Sequence, residues 1–503
     1  TRSRRLGSDG WQTPAAGQWL SALLLIWFVF SWSQTIAIPV GLLQWISGGA
    51  HSAYVNWAGG ILDSPPATAP VSIAPIDSRH SASLLVVTAL VAWASAIVFN
   101  SRGRIRMLVL SVAVASAVIG GLGITRILVP GWEIWSFHPS SAPFSTFINR
   151  NNAACFLNLG LASTITVLIW RYGAIVAATE GAQSNRTVLQ TAAIDWESIL
   201  ALLAAMICLV AILMCGSRGG LLAVFAGSMS ALVASGTRMK ATAIGFAVIG
   251  LVVAIGVFLI PSSESSGSYA RLREGFQEPG WISSDGRMLH WPDGLIASTA
   301  YLPLGSGLAS YSYAYLPFQS DNPSEWFHHA DNLWLELLVE QGIVGMGLIL
   351  TVLASLFFAL RRLSISRDSV DHGLRVGGWY MLGSLVGSQL FDYGLILPAC
   401  LFAATAIGSS LIARSQQVGK TSIDSKPRLI EDQRIVKPKL QLISGVDRRS
   451  WLLGIVILAI SVLVLPTLRG QALAESIVRE SRGRFDEIRQ DRDRLEAEIR
   501  RLS

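Results

Sequence analysis

Between residues 327 and 345 the chain reads FHHADNLWLELLVEQGIVG. Two imidazoles, a carboxylate and an amide stand directly before a long apolar run. His329 and Asp331 are candidate proton acceptors, with His328 a further one. Three arginines stand near glycine or asparagine in other parts of the chain: Arg150 in TFINRNNAACF, Arg218 in CGSRGGLL and Arg287 in DGRMLHW. Arginine grips phosphate oxygens with two parallel N–H groups and keeps its charge at any relevant pH. Gly219 and Gly220 after Arg218 allow close approach of a ligand or another backbone, and amides at a helix start favour an anion. A base beside an anion site is the equipment for group transfer. The base takes a proton from an attacking hydroxyl, and the cations neutralise a departing diphosphate.

The elements that must position these groups are membrane helices. The 503-residue chain is 51% hydrophobic and 14% charged, where a soluble domain is nearer a quarter charged. Runs such as ATAIGFAVIGLVVAIGVFLI at 241–260 are long enough to cross a bilayer. Lipid requires such backbone to be helical. The apolar pattern predicts an all-α polytopic membrane protein with about eleven spans, at 18–47, 81–99, 107–129, 152–170, 197–215, 219–235, 241–260, 333–360, 376–391, 395–413 and 451–468. SRGRIR at 101–106, GTRMK at 236–240, RRLSISR at 361–367 and the basic linker at 414–450 fall on one side, which the positive-inside rule makes cytoplasmic. The net charge of +7 has the same explanation, and there is no basic groove with interleaved aromatics to suggest nucleic acid.

The opposite side holds the loops at 48–80, 130–151, 216–218 and 261–332, the last being the largest. Loops of that length are usually functional. All the candidate groups above gather on this side. Arginine there runs against the usual loop bias, which singles out Arg150, Arg218 and Arg287; Arg126, near the outer end of its span, reads better as structural. The organisation is therefore a membrane domain over 1–413, a linker, a last span at 451–468 and a charged amphipathic helix over 469–503. In that tail Val478, Phe485 and Ile499 share one heptad position and Ile488, Leu495 and Leu502 another, a pattern for self-association, partner binding or packing on the protein's own surface. Cys155, Cys208, Cys215 and Cys400 lie in or beside apolar runs without a CxxC spacing, so they read as packing residues. The first apolar run reads as a signal anchor.

The set NRN at 149–151, SRGG at 217–220, LGSG at 304–307 and ADNLWLELLVEQGIVG at 330–345 resembles the superfamily of O-antigen ligases and O-antigen polymerases. The most specific element is a catalytic residue, then Asn or a similar residue, nine residues and GxxG. Here Asn332 is followed by nine residues and then Gly342-Ile-Val-Gly345. The resemblance implies a lipid-linked glycosyltransferase architecture (GT-C-like) with a large periplasmic loop. It further implies a donor glycan on an undecaprenyl-diphosphate-type carrier, inversion at the sugar, and a lipid or saccharide acceptor. It maps the diphosphate-holding arginines to Arg218 and Arg287, with Arg150 beside them. The site then faces the periplasm from the bacterial inner membrane.

This chain departs from the family at one position: where the pattern has histidine, it has Asp331. A free carboxylate has a pKa of about 4 and is a weak base at neutral pH unless burial raises it. Asp331 as base, His329 as base, and a site without activity all remain open at this point. Asn332 and Glu336 are supporting candidates; Glu340, one helical turn beyond Glu336, reads as helix-face polarity. His290 and Trp291 line an acceptor groove or pack the loop. The only acidic residues of the first outer loop, Asp63 and Asp77, are far apart, and HHxD at 328–331 is a weak metal pattern. A reaction without metal or cofactor is therefore expected. Two other classes compete with a transferase. A transporter places ionisable groups near the midplane, often in repeated halves, and neither feature is seen. A catalytically silent relative is the other, and the aspartate keeps it in play.

Overall fold

The computed structural model describes residues 15–57, 64–129, 144–178, 195–235, 286–320 and 326–421. The expected spans at 241–260 and 451–468, the tail at 469–503 and Asp63 lie outside the described residues. Among the described residues thirteen α-helices follow one another: α1 (Ala15–Ser33), α2 (Val40–Ile46), α3 (Gly48–Ser52), α4 (Pro75–Val98), α5 (Arg102–Leu128), α6 (Arg150–Ala178), α7 (Trp196–Cys215), α8 (Arg218–Ser235), α9 (Gly286–Tyr301), α10 (Tyr311–Ala314), α11 (Leu333–Leu363), α12 (Ser369–Ser388) and α13 (Pro398–Thr421). Six of them, α4 to α8 and α11, are long and apolar enough to cross a membrane. The chain is an all-α polytopic membrane protein.

The first expected span does not run to residue 47. Helix α1 ends at Ser33. Ile38 precedes a proline, which favours extended backbone, and Ile38–Pro39 pairs antiparallel with Thr68–Ala69 in a two-stranded ribbon. The chain then turns into the short helices α2 and α3. At the other end of the membrane domain, α13 continues to Thr421, into the segment expected to be linker.

Helix α6 is the axis of the bundle. Its apolar stretch is 94% buried, against 22% in α11. Leu157, Leu159 and Val167 of α6 share one core with Cys208 and Ile212 of α7, Leu374 and Tyr380 of α12 and Leu411 of α13. Small residues bring these helices together, as is usual where lipid gives no hydrophobic drive for association. A Cβ at Gly227 of α8 would lie 2.8 Å from the Tyr380 carbonyl oxygen of α12. Asn158, buried in α6, donates to the carbonyls of Ala154 (2.9 Å) and Gly220 (3.2 Å) and accepts from the Tyr380 hydroxyl (2.9 Å). One satisfied amide thus ties α6, α8 and α12.

The two ends of the bundle differ chemically. At one end Arg102 pairs with Asp368, Arg106 with Glu197, Arg171 with Asp195, and Arg414 with the buried Asp371. These are the starts of α5, α7 and α12 and the ends of α6 and α13. The other end holds the starts of α6, α8, α11 and α13, capped by a separate core of Leu43, Tyr301, Tyr311, Tyr315, Leu335 and Val339.

Helix α11 is broken inside that cap. Gly342 adopts φ +58°, ψ −151°, a region open essentially to glycine alone. The break frees the carbonyls of Val339 and Glu340. Ser306 N–H and Gly307 N–H, from the LGSG loop, donate to them at 2.9 and 2.8 Å, while Ile343 N–H turns to the Pro303 carbonyl at 3.0 Å. The two glycine motifs of the sequence are therefore two halves of one joint. Gln341 seals it from the side of α1, accepting from Trp27 Nε1 (3.0 Å) and Ser31 (2.9 Å) and donating to Gln34 (2.7 Å).

Candidate active site

The arginine and histidine segments are brought to one place by a connection that the motifs do not mark, residues 389–394 between α12 and α13. The Phe391 side chain lies where a Cβ on Gly219 would touch it at 3.6 Å, and its ring meets that of Trp291 at 5.9 Å. Tyr393 stacks on His329 with ring centres 4.0 Å apart, and its hydroxyl accepts from Asn149 Nδ2 at 3.3 Å. The carbonyls of Gln389 and Asp392 accept from Leu333 N–H at 3.0 and 3.2 Å. Phe391, Asp392 and Tyr393 were missed in the sequence, and Asn149 entered it only as part of the NRN motif. The signal was a polar FDYG stretch between two apolar runs.

Each candidate has a local reason for its position. Gly216 ends α7 in the left-handed conformation at φ +67°, and the Ser217 hydroxyl accepts from Gly220 N–H at 3.0 Å. This glycine stop and serine cap put Arg218 at the first position of α8. Arg150 opens α6, close enough to Cys215 to act on it electrostatically, so the two arginine-bearing helix starts share a corner. Arg287 is the second residue of α9. Asn332 caps α11, its side chain accepting from Trp334 N–H (3.1 Å) and Leu335 N–H (3.2 Å). Replacing Asn332 with Ala is expected to destabilise the protein by about 1 kcal/mol, read as a lowered thermal midpoint of the purified protein.

The histidine end is a paired site. His329 Nδ1 lies 2.9 Å from Glu336 Oε1, and Glu336 Oε2 accepts from Ala330 N–H at 3.1 Å. Glu336 is 2% exposed. Burial by itself pulls the His329 imidazole toward its neutral form. The hydrogen bond and charge of Glu336, with Asp331 and Asp392 nearby, outweigh that effect and raise its pKa above the ordinary value. Asp331 adopts φ +49°, a left-handed turn that aspartate tolerates better than most side chains.

His290 and Trp291 belong to the packing of this loop. Trp291 Nε1 donates to the Ala330 carbonyl at 2.8 Å, and His290 Nε2 lies 3.2 Å from the same oxygen. His290 is buried and stacked on Phe327 at 4.1 Å. The Ala330 residue, between His329 and Asp331, is thus held at both its N–H and its carbonyl. Glu340 is not helix-face polarity: it is buried, and its carboxylate accepts from Tyr311 N–H at 3.0 Å, at the start of α10. Arg126 reaches the Ser145 carbonyl at 3.5 Å, a contact that ties down the segment before α6. His328 sits beside Trp326, apart from the His329 pair, and among the described residues no three His, Cys, Asp or Glu side chains are grouped as metal ligands are.

A cavity of about 240 Å³ begins at His329, Glu336 and Glu340 and runs between α1, α4, α11, α12 and α13. Beyond those three residues its wall is almost wholly apolar, with Leu24, Leu356 and Leu385 among its lining. The class defined by this fold and site is an integral membrane protein with a polar cluster at the mouth of an apolar cleft. Residues 203–350, the stretch from within α7 into the broken α11, match the O-antigen ligase family, which supports the resemblance to the ligase and polymerase superfamily. The match takes in SRGG, LGSG and the Asn332–Gly345 motif; NRN at 149–151 precedes it. No curated protein matches the chain.

Proposed function

We propose that the chain is a glycosyltransferase that moves a glycan from a polyprenyl-diphosphate carrier to an acceptor hydroxyl, on the periplasmic face of the bacterial inner membrane. The pairing of His329 with Glu336 at the mouth of the apolar cavity carries this reading. Glu336 accepts the proton of Nδ1, which leaves the Nε2 lone pair for the acceptor hydroxyl, in the manner of carboxylate–imidazole pairs elsewhere. His329 is the base of this reading in preference to Asp331, whose charge supports the imidazolium once it has formed. The acceptor oxygen bonds to the anomeric carbon as its proton passes to His329. The bond from that carbon to the diphosphate breaks, and its electron pair leaves with the lipid diphosphate. Arg218 and Arg287, with Arg150 at the same corner as Arg218, neutralise the leaving group. They carry the positive charge that a divalent cation supplies in other transferases. The apolar cavity suits a substrate delivered from the membrane.

A base must be neutral to act. With its pKa raised, His329 loses activity as pH falls through a value above about 6.5, the ordinary histidine figure. Replacing Glu336 with Gln removes the charge that favours the imidazolium. The acid limb of the rate profile is expected to move to lower pH, with a lower plateau. An unmoved limb in a folded variant counts against the pair.

The wider test is deletion of the protein from its host, with surface glycan and lipid-linked precursor resolved on gels. Loss of the glycan with build-up of precursor supports transfer. A ladder collapsed to single units assigns repeated transfer, the polymerase reaction. An unchanged profile of both pools overturns the reading.

A further inference from the structure

Residues 326–329 alternate in exposure. Phe327 turns inward onto His290 and donates its N–H to the Tyr315 hydroxyl at 2.7 Å, and His329 enters the site. Trp326 and His328 face outward. Trp326 is 45% exposed and Tyr313 43% exposed, and their rings lie 5.9 Å apart. The His328 ring lies 4.5 Å from the indole. Trp326 Nε1 donates to the Ser312 carbonyl at 2.7 Å, so the indole is held in place while much of its surface remains open. An aromatic ring costs apolar exposure that a folded loop normally buries. Here three rings form an open, oriented row that ends at His328, the residue directly before His329 and about 4 Å from it along the chain.

We infer that Tyr313, Trp326 and His328 form a platform on which a pyranose ring of the glycan stacks, holding the sugar chain that leads to the reaction centre. The inference rests on the transferase reading for its ligand class. One face of a pyranose is lined with C–H bonds, which carry partial positive charge and pack on the negative face of an aromatic ring. The hydroxyls around its rim find hydrogen-bonding partners in the exposed imidazole and the tyrosine hydroxyl. A bilayer anchor also uses exposed tryptophan and tyrosine, but its indole N–H is free for headgroups, whereas that of Trp326 is already committed to Ser312.

The test is saturation-transfer NMR on the whole protein in lipid nanodiscs, which requires no turnover. Two lipid-free probes are used: the repeat-unit oligosaccharide released from the host's surface polysaccharide, and the core oligosaccharide of its surface glycolipid. Binding of the first assigns the platform to the donor or growing chain; binding of the second assigns it to the acceptor. In either case Trp326→Ala is expected to weaken binding roughly tenfold, and Trp326→Phe, which keeps a ring, to restore most of it. Equal binding by wild type and a folded Trp326→Ala variant, or binding of neither probe, overturns the platform. So does loss of Trp326 emission in nanodiscs of brominated lipid, read as the difference between wild type and Trp326→Phe, because the indole then lies in the bilayer. Transfer by wild type with unaltered transfer by Trp326→Ala rejects the platform alone. Oligosaccharide binding without transfer rejects the catalytic reading alone.

Discussion

Replacing His329 with Asn is expected to lower glycan transfer by about 10²- to 10⁴-fold, the usual contribution of a positioned base. The protein itself should fold as before. The His329 side chain is 35% exposed, and what the substitution removes is one pairing with Glu336 and one stacking contact with Tyr393. Asp331→Asn is the necessary companion. Asparagine also tolerates the left-handed turn, so the variant removes a charge without disturbing the backbone, and a loss of only a few fold is expected. Transfer measured with purified lipid-linked glycan, at matched protein, separates the two. A large loss in Asp331→Asn with a small one in His329→Asn would return the base to the position where the family pattern has its histidine.

Gly342→Ala should be the most damaging substitution for the fold. The residue sits at φ +58°, ψ −151°, where a Cβ would run into the Pro303 carbonyl and lie 2.8 Å from Gly305 N. Backbone strain and overpacking together amount to about 3 kcal/mol or more. The loss extends to the site. If α11 straightens, it takes back the Val339 and Glu340 carbonyls, and the LGSG loop loses both of its anchors. Glu336, two turns before the break, then shifts relative to His329. Thermal unfolding in detergent checks the first effect and glycan transfer the second. Gly347, five residues on in the same helix, is the control: nothing lies within 4 Å of a Cβ there, so Gly347→Ala should leave stability unchanged or raise it by up to about 1 kcal/mol. A Gly342→Ala variant as stable as this control would mean that the break in α11 does not depend on glycine.

What was legible in the sequence was what neighbouring residues decide among themselves. Apolar runs marked the long helices because lipid leaves the backbone no other way to satisfy its hydrogen bonds. The short outer turn at 216–218 was legible between its two apolar runs, because a helix stop and the next helix start are made within a few residues. The sorting of arginine pairs such as Arg102–Asp368 and Arg414–Asp371 to one end agrees with the loop charges. The GxxG spacing marked the family without showing what the glycines do.

Tertiary structure decided everything that depends on distant partners. Helix α1 stops at Ser33 within a run that stays largely apolar to Ile46, because Ile38–Pro39 pairs with Thr68–Ala69. Glu340 had the spacing of a solvated helix face, yet it meets Tyr311 N–H across 29 residues. His290 and Trp291 grip Ala330 across 40 and 39 residues. The proposed preference for His329 over Asp331 as base rests on contacts of the same kind. The sequence by itself determined that a carboxylate stands where the family has histidine and that an imidazole lies two residues before it. Only the fold brought that imidazole against Glu336 and Tyr393, because a left-handed turn at Asp331 sets the preceding residues back over the first turn of α11, and contacts made by such a reversal leave no periodicity in the chain.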